Sequence, residues 1–369
     1  MKRKVKAVVA RANNAPVSVE EILVDPPEQG EVTIRMEACG VCHTDLSAAT
    51  GVIPMPLPMV LGHEGAGVVV EVGQGVTALA VGDRVVSSFV SMCGHCRYCS
   101  TGRPQLCDQA AKAVCTLPNG GIRTHDLNGN PLHVFSGCGV MAEYATLHAD
   151  NVIKVGADVS MECCALISCG VMTGVGAVIN TARLTAGSIA IVFGAGGVGL
   201  NAIQGCAIAG ASMIVAVDRS DAKLDLARLF GATHVVNATQ EDNVVRTLKK
   251  LTGGGADYAF ECVGLGSVVA QAYGALRKGG MAVVVGVAGT KDDTSIRTAS
   301  LTFEEKTLTG SYYGSARPRE DFPRLMSLYR AGRLKLDELI THRYRIYEAP
   351  QAFDDLTHGR NARGMIVLG

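Results

Sequence analysis

The sequence predicts an α/β protein in two parts, a β-rich portion filling the first third and a doubly wound parallel sheet beyond it. Three observations carry that expectation. Short valine-rich runs of alternating polarity fill the chain to about Leu147, and from Ile189 apolar runs alternate with helical stretches. At 369 residues the chain is also too long for one hydrophobic core, so two domains are expected.

In the first part the runs Lys4–Val9, Val32–Glu37, Gly67–Val72 and Arg84–Ser88 read as strands, separated by Pro26-Pro27, glycine-rich turns and Val81-Gly82-Asp83. Pro54, Pro56 and Pro58 exclude a helix and favour an extended loop. In the second part Ile189–Phe193 is a buried parallel-type strand, a helix runs to Ala209, and Met213–Val217 is the next strand. Further units follow: strand His234–Val236, a helix to Leu251, strand Tyr258–Glu261, a helix to Leu276, a turn at Gly279-Gly280 and strand Met281–Val285. After Leu308 the alternation stops. Asp321–Ala331 and Ala349–His358 read as helices and Met365–Leu368 as a short strand, a tail expected to return to the first part.

Composition narrows the function classes. The 34 basic and 34 acidic residues cancel, which favours neither nucleic acid nor an anionic membrane. The apolar run after Met1-Lys-Arg-Lys4 ends at Arg11, shorter than a signal peptide's. No segment reaches the 18 or so uncharged apolar residues of a membrane span on this reading. Thirteen cysteines then argue for a reducing cytoplasm, with thiols used as metal ligands rather than in disulfides.

Two cysteine patterns stand out. Gly40-Val-Cys42-His43-Thr44-Asp45 and Gly62-His63-Glu64 bring a thiol, imidazoles, a hydroxyl and two carboxylates into one short stretch. Thiolate and neutral imidazole are the ligands zinc prefers, and a catalytic zinc takes three protein ligands and keeps one open position. Cys42 and His63 are candidates for two of the three. Cys169, in Ser-Cys169-Gly-Val-Met-Thr173-Gly, is the best candidate for the third. The plain alternative makes Cys42 a small buried hydrophobe and His63 a core histidine. Farther on, Cys93, Cys96, Cys99 and Cys107 can close round one metal with no position open, which suits a structural zinc; an iron–sulfur cluster uses similar spacings. His95 is surplus to that shell.

Gly194-Ala195-Gly196-Gly197-Val198-Gly199 lies between a strand and a helix, and Asp218 ends the next strand 19 residues later. That is the dinucleotide fingerprint in its required context. Its glycines let backbone approach a pyrophosphate at the helix N-terminus, and Asp218 can accept from the adenosine ribose while repelling a 2′-phosphate. Arg219 complicates the preference for NAD, since an arginine there can bind that phosphate.

With these motifs, the four-cysteine lobe (92–108) and Gly67 and Gly73 after the histidine, the chain resembles the medium-chain zinc-dependent alcohol dehydrogenases over nearly its full length. The resemblance implies a GroES-like β-barrel catalytic domain, residues 1–170 with 315–369, and a Rossmann domain, 171–314, with NAD and two zinc ions per chain. Carried over by position, Cys42, His63 and Cys169 match the catalytic-zinc ligands, Glu64 a carboxylate behind them, and Asp45 the group that orients the histidine. Cys93, Cys96, Cys99 and Cys107 match the structural-zinc ligands. Thr44 matches the hydroxyl that takes the substrate proton, His43 and Arg363 match pyrophosphate contacts, and Lys223 a ribose contact. Thr173, Val198, Val285 and Val287 match residues near the nicotinamide or substrate, and Phe89 and Phe135 fall where the family lines its pocket.

Three departures bear on activity. Many relatives place a histidine three residues after the proton-accepting hydroxyl; here it is Ser47. Glutathione-dependent formaldehyde dehydrogenases carry an arginine four residues after the last lobe cysteine, where this chain has Ala111, and acidic residues in the loop that here reads Val52-Ile-Pro-Met-Pro-Leu-Pro58. The expectation is NAD-linked oxidation of apolar primary alcohols, aliphatic, allylic or benzylic, to aldehydes. Thiol-dependent formaldehyde oxidation and a non-catalytic nucleotide-binding relative are the alternatives. A homodimer is expected, a tetramer being the other arrangement. The Thr307–Ser311 segment follows the last Rossmann strand, where the family pairs edge strands between subunits, and the long loop from Cys107 to Met141 resembles the dimeric members.

Overall fold

The computed structural model describes residues 2–368, which divide into two compact units. Among the described residues one comprises 2–169, 317–329 and 336–368, the other 170–316 and 330–335.

The first unit is built on two sheets. Arg3–Ala10 pairs antiparallel with Ser18–Val24 and with the short Met59–Val60 strand, and Thr124–His125 and His133–Val134 extend this sheet at its two edges. In the second sheet the long Glu31–Val41 strand is the hub. It pairs with Gly65–Val72, with Tyr144–His148 and, at its far end, with Arg363–Val367. Arg84–Ser87 and Val152–Lys154 continue one side of it, and Ile340–Arg345 the other. Val8, Ile34, Met36, Leu61, Val69, Phe135, Met141 and Leu147 fill a shared core. Valine and isoleucine suit such pleated, half-buried surfaces because their branched side chains pack across strands.

Beside this core Glu31, fully buried, accepts from the Arg123 guanidinium and the Asn119 amide, which ties the 119–123 turn to the start of the hub strand. Burial pushes the Glu31 carboxyl up, but Arg123, Asn119 and the Glu28 N–H outweigh it and hold the group below its ordinary range.

The second unit holds six parallel strands in the spatial order His234–Asn237, Met213–Asp218, Ile189–Phe193, Ala256–Glu261, Leu276–Val284, Thr307–Gly310. Numbered along the chain that order is 3-2-1-4-5-6, the doubly wound arrangement, whose strand order reverses beside Ile189–Phe193 and opens a crevice at the strands' carboxyl ends.

Four expectations change. The helix expected to reach Leu276 ends at Gly274, and Gly279-Gly280 lies inside the Leu276–Val284 strand, at a register irregularity where Gly279 bends the backbone with φ +74° before regular pairing resumes at Met281. Thr307–Gly310 is itself a strand of the parallel sheet, at its edge. And one helix, Met161–Ala182, is long and apolar enough to cross a membrane, against the expectation that no segment is. Most of it is buried inside the protein, which accounts for its apolar composition: it is hydrophobic on every side because it has protein on every side.

Candidate functional site

Cys42 follows the hub strand immediately and precedes a short helix, His43–Thr50, whose first turn carries Asp45. His63 and Glu64 lie between Met59–Val60 and Gly65–Val72. Cys169 sits in a π-helical stretch, Ile167–Val171, of the long buried helix. Such wide turns within α-helices occur often at functional sites, because the extra residue re-aims a side chain. The donor atoms of Cys42, His63, Glu64 and Cys169 all lie within 4.8 Å of one another, and all four residues are buried.

Glycine makes the convergence possible. A Cβ on Gly40 would lie 2.1 Å from a Glu64 carboxylate oxygen, so any side chain there would displace the carboxylate. Gly62 adopts φ +97°, and its N–H donates to Asp45 Oδ1 over 2.8 Å. Asp45 Oδ2 lies 3.1 Å from His63 Nδ1, which leaves Nε2 to face a metal. The imidazole is also gripped edge-on by Phe89 and Phe135, each with its ring centroid 5.4 Å away. Phe135, expected to line a pocket, is fully buried in the core. Phe89 is half-buried, as are Met55 and Leu57 of the uncharged loop.

The electrostatics point to a cation. Contact with Cys169 and with His63 holds the Cys42 thiol well below its ordinary range, and Cys169 is pushed up against it. Burial opposes charging His63, but Asp45 and Cys42 outweigh it and raise its pKa well above the usual value. Burial pushes Glu64 up to about 7 even though Arg363 is paired with it. Protons crowded among two thiols, an imidazole and a carboxylate are what a divalent ion displaces on binding. Two sulfurs and an imidazole nitrogen fit zinc with a position left over.

The second set, Cys93, Cys96, Cys99 and Cys107, also has its sulfurs within 4.8 Å of one another. The N–H of Cys96 donates to Cys93 Sγ, that of Cys99 to Cys96 Sγ and that of Cys93 to Cys107 Sγ, over 3.3 to 3.5 Å. The backbone N–H groups of Cys99 and Asp108 bring the Cys96 thiol down to about 6. Donors aimed at sulfur favour the thiolate at Cys96, whereas burial pushes Cys99 up to about 12, and four sulfurs this close suit one shared metal. His95 is exposed and turns its Nδ1 to the Cys93 carbonyl, outside the shell.

Thr44 Oγ1 lies 3.5 Å from Cys42 Sγ. Ser47, one turn on, shares its face of the helix, and both are half-buried, whereas His43 is exposed. Arg363, expected at a pyrophosphate, is 5% exposed and engaged by Glu64.

In the second unit Gly194 adopts φ +90°, and a Cβ on Gly199 would lie 1.7 Å from the Gly194 carbonyl oxygen. Gly196 has an ordinary φ of −82°, and a Cβ there would meet no protein atom. Its lack of a side chain thus answers no constraint within the fold and leaves the backbone open to a ligand at the start of helix Gly197–Ile208. Asp218 accepts from the N–H groups of Ala195 and Arg219, both at 2.7 Å, and is half-buried. Lys223, Thr173 and Val198 are half-buried, Arg219 is exposed, and Val285 is buried while Val287 is exposed. Sequence reasoning passed over Glu261, Val263 and Leu265 at the carboxyl edge of the same sheet. A charged residue closing the apolar run Tyr258-Ala-Phe260 was the available signal.

A dinucleotide fingerprint on a doubly wound sheet, joined in one chain to two metal-ligand sets, defines a metal-dependent dehydrogenase. The family described as an alcohol dehydrogenase GroES-like domain matches residues 28–157, and that described as a zinc-binding dehydrogenase matches residues 197–331. The NDMA-dependent alcohol dehydrogenase of Amycolatopsis methanolica is 39% identical, with 99% of each chain covered. The S-(hydroxymethyl)glutathione dehydrogenase of Paracoccus denitrificans is 37% identical over 99% of this chain and 100% of its own. The crystal structure of benzyl alcohol dehydrogenase from Acinetobacter calcoaceticus superposes with a TM-score of 0.92 at 34% identity, covering 100% of both chains. The chain belongs to the zinc-dependent medium-chain alcohol dehydrogenase family. It is accordingly a zinc- and NAD(P)-dependent oxidoreductase with a GroES-like and a Rossmann-type domain.

Proposed function

We propose that the chain interconverts apolar primary alcohols, aliphatic, allylic or benzylic, with their aldehydes, using NAD. The observation that carries this reading is the buried Cys42–His63–Glu64–Cys169 cluster, with the Thr44 hydroxyl beside Cys42 and the Phe89 ring against His63. Cys42, His63 and Cys169 would hold a zinc ion, which would supply Lewis-acid polarisation of the substrate oxygen, and NAD would supply the hydride acceptor. The chain's own part is positional and protonic. Asp45 and the two phenylalanine rings fix His63, and Glu64 with Arg363 balances charge behind the cluster. Thr44 accepts the hydroxyl proton and passes it along the face it shares with Ser47, since a hydroxyl both accepts and donates. Cys93, Cys96, Cys99 and Cys107 hold a second, structural zinc. The Asp218 carboxylate favours NAD over NADP by repelling a 2′-phosphate, with Arg219 flanking the adenine. His43 and Lys223 serve as cofactor contacts. The protein works as a homodimer in the reducing cytoplasm, where its thirteen cysteines stay out of disulfides.

Thiol-dependent formaldehyde oxidation is the second reading, favoured by the 37% identity to the Paracoccus enzyme. Against it stand Ala111 and the uncharged loop 52–58, which offer no partner to a charged thiol adduct. A panel of alcohols and aldehydes assayed with NAD, NADH and NADP, and formaldehyde with and without glutathione, tests both. Higher kcat/KM for benzyl or allyl alcohol than for the glutathione adduct is expected. Turnover confined to the adduct would overturn the proposal, and equal efficiency with NADP would overturn the cofactor assignment.

A further inference from the structure

Glu261 closes the Ala256–Glu261 strand at the carboxyl edge of the parallel sheet, and it is wholly buried. Its Oε1 accepts from two successive backbone N–H groups, those of Val263 at 2.8 Å and Gly264 at 2.7 Å, while Oε2 is buried without a hydrogen-bond partner. Its carbonyl oxygen accepts from the N–H groups of Val285 and Gly286 at 2.8 and 2.9 Å. One residue thus grips both loops that leave this part of the sheet. The two loops also interlock through glycines. A Cβ on Gly264 would lie 2.5 Å from the Val287 carbonyl oxygen, and one on Gly286 would lie 2.2 Å from the Gly264 nitrogen. A Cβ on Gly194 of the fingerprint would lie 2.9 Å from a Val263 methyl, so the pair abuts the pyrophosphate turn as well.

These loops hold out apolar side chains. Val263 is 47% exposed, Leu265 49% and Val287 63%, among the few large hydrophobic side chains so exposed in the described residues. Burying a carboxylate is costly, and burial raises the Glu261 pKa against the N–H groups of Gly264 and Val263 that bond its carboxylate. A residue kept at that cost, beneath a row of exposed apolar side chains at the edge where open α/β sheets bind ligands, has a function there.

We infer that Glu261 is a positioning residue for the dinucleotide: it fixes the 263–265 and 285–287 loops so that Val263, Leu265 and Val287 form one preset apolar surface against the bound cofactor. The inference rests on the reading of this chain as a nicotinamide enzyme. Preorganisation of this kind lowers the ordering cost of binding, so its loss falls on cofactor affinity.

The test is a fluorescence titration of the purified holoenzyme with NADH, alongside steady-state kinetics and thermal melts. Glu261→Ala removes the acceptor from two N–H groups and should weaken NADH binding by about tenfold or more. It should raise KM for NAD by a similar factor, with kcat at saturating NAD and the KM for alcohol close to wild type. Glu261→Gln keeps one carbonyl oxygen on both donors and should restore NADH affinity to within about threefold. Should Glu261→Ala not fold, Leu265→Ser and Val263→Ala serve instead. These exposed positions should lose NADH affinity with an unchanged melting temperature. Wild-type NADH affinity in Glu261→Ala, or in both loop variants, overturns the inference. Failure of the wild-type protein to bind NADH at all would instead overturn the functional reading beneath it.

Discussion

At the scale of single residues, the proton path separates this chain from many relatives. Thr44 sits 3.5 Å from Cys42 Sγ, and Ser47 occupies the position a turn later on the same helix face. Thr44→Ala should nearly abolish alcohol oxidation, while Thr44→Ser should retain much of it, because only the hydroxyl is needed to accept and donate. Ser47→His should add a titration near the imidazole value of about 6.5 to the pH–rate profile. If His43 were the base instead, His43→Arg would remove a near-neutral titration from the native profile. Its exposure favours the hydroxyl path. Cys42, His63 and the four lobe cysteines could be marked as metal candidates from residue type and spacing, whereas Cys169, far along the chain from His63, could not. Glu261 was not, because its role depends on backbone N–H groups that residue types do not reveal. Arg363 was legible as a cation, but its burial against Glu64 was not.

At the scale of elements, the central parallel strands Ile189–Phe193 and Met213–Asp218 were legible because both faces are buried and each reads as a nearly continuous apolar run, whereas Thr307–Gly310, half-exposed at the sheet edge, was not. The strands Ser18–Val24 and Ile340–Arg345 were not, since charged residues at Glu20, Glu21, Arg343 and Arg345 hide their half-buried pattern. Nor was the π-helical stretch around Cys169, which follows from packing rather than propensity. The four-cysteine lobe has hardly any apolar core of its own. Cys96→Ala should therefore lower the melting temperature and release one zinc equivalent, while Cys42→Ala should leave a folded, inactive protein that also holds one. Metal analysis with thermal melts checks both, and one zinc in the native protein would break the scheme. The Glu31–Arg123 tie gives a pH dependence. Its depressed carboxyl contributes stability that is present above the unfolded value of about 4.5 and is lost as pH falls through the lower folded value. Glu31→Gln should thus cost several degrees of melting temperature at pH 7, and the gap to wild type should shrink on acidification below about pH 4.

At the scale of the whole molecule, the edge of the parallel sheet is the feature that asks for a partner. Thr307–Gly310 is an edge strand, and Phe303 just before it is 83% exposed while Tyr312 just after it is 54% exposed. Unpaired edges beside exposed aromatic rings invite association with a second chain. Sedimentation should give a dimer, and Phe303→Asp should shift it toward monomer. A monomeric native protein would refute the arrangement.

The hub strand has one neighbour that arrives late. Glu31–Val41 leads directly to Cys42, yet its partner Arg363–Val367 lies more than 300 positions farther along the chain. At ribosomal speeds of about 5–20 residues per second, roughly 15 to 60 seconds separate their synthesis. Throughout that interval the nascent chain carries the thiol of Cys42 and the carboxylate of Glu64 without Arg363. Metal capture on a translating ribosome would then take place on an incomplete sheet whose edge is still open. Stalled nascent chains ending before Arg363 should accordingly show Cys42 alkylated far faster than the released protein does, and equal labelling rates would mean the centre is assembled before the chain is finished.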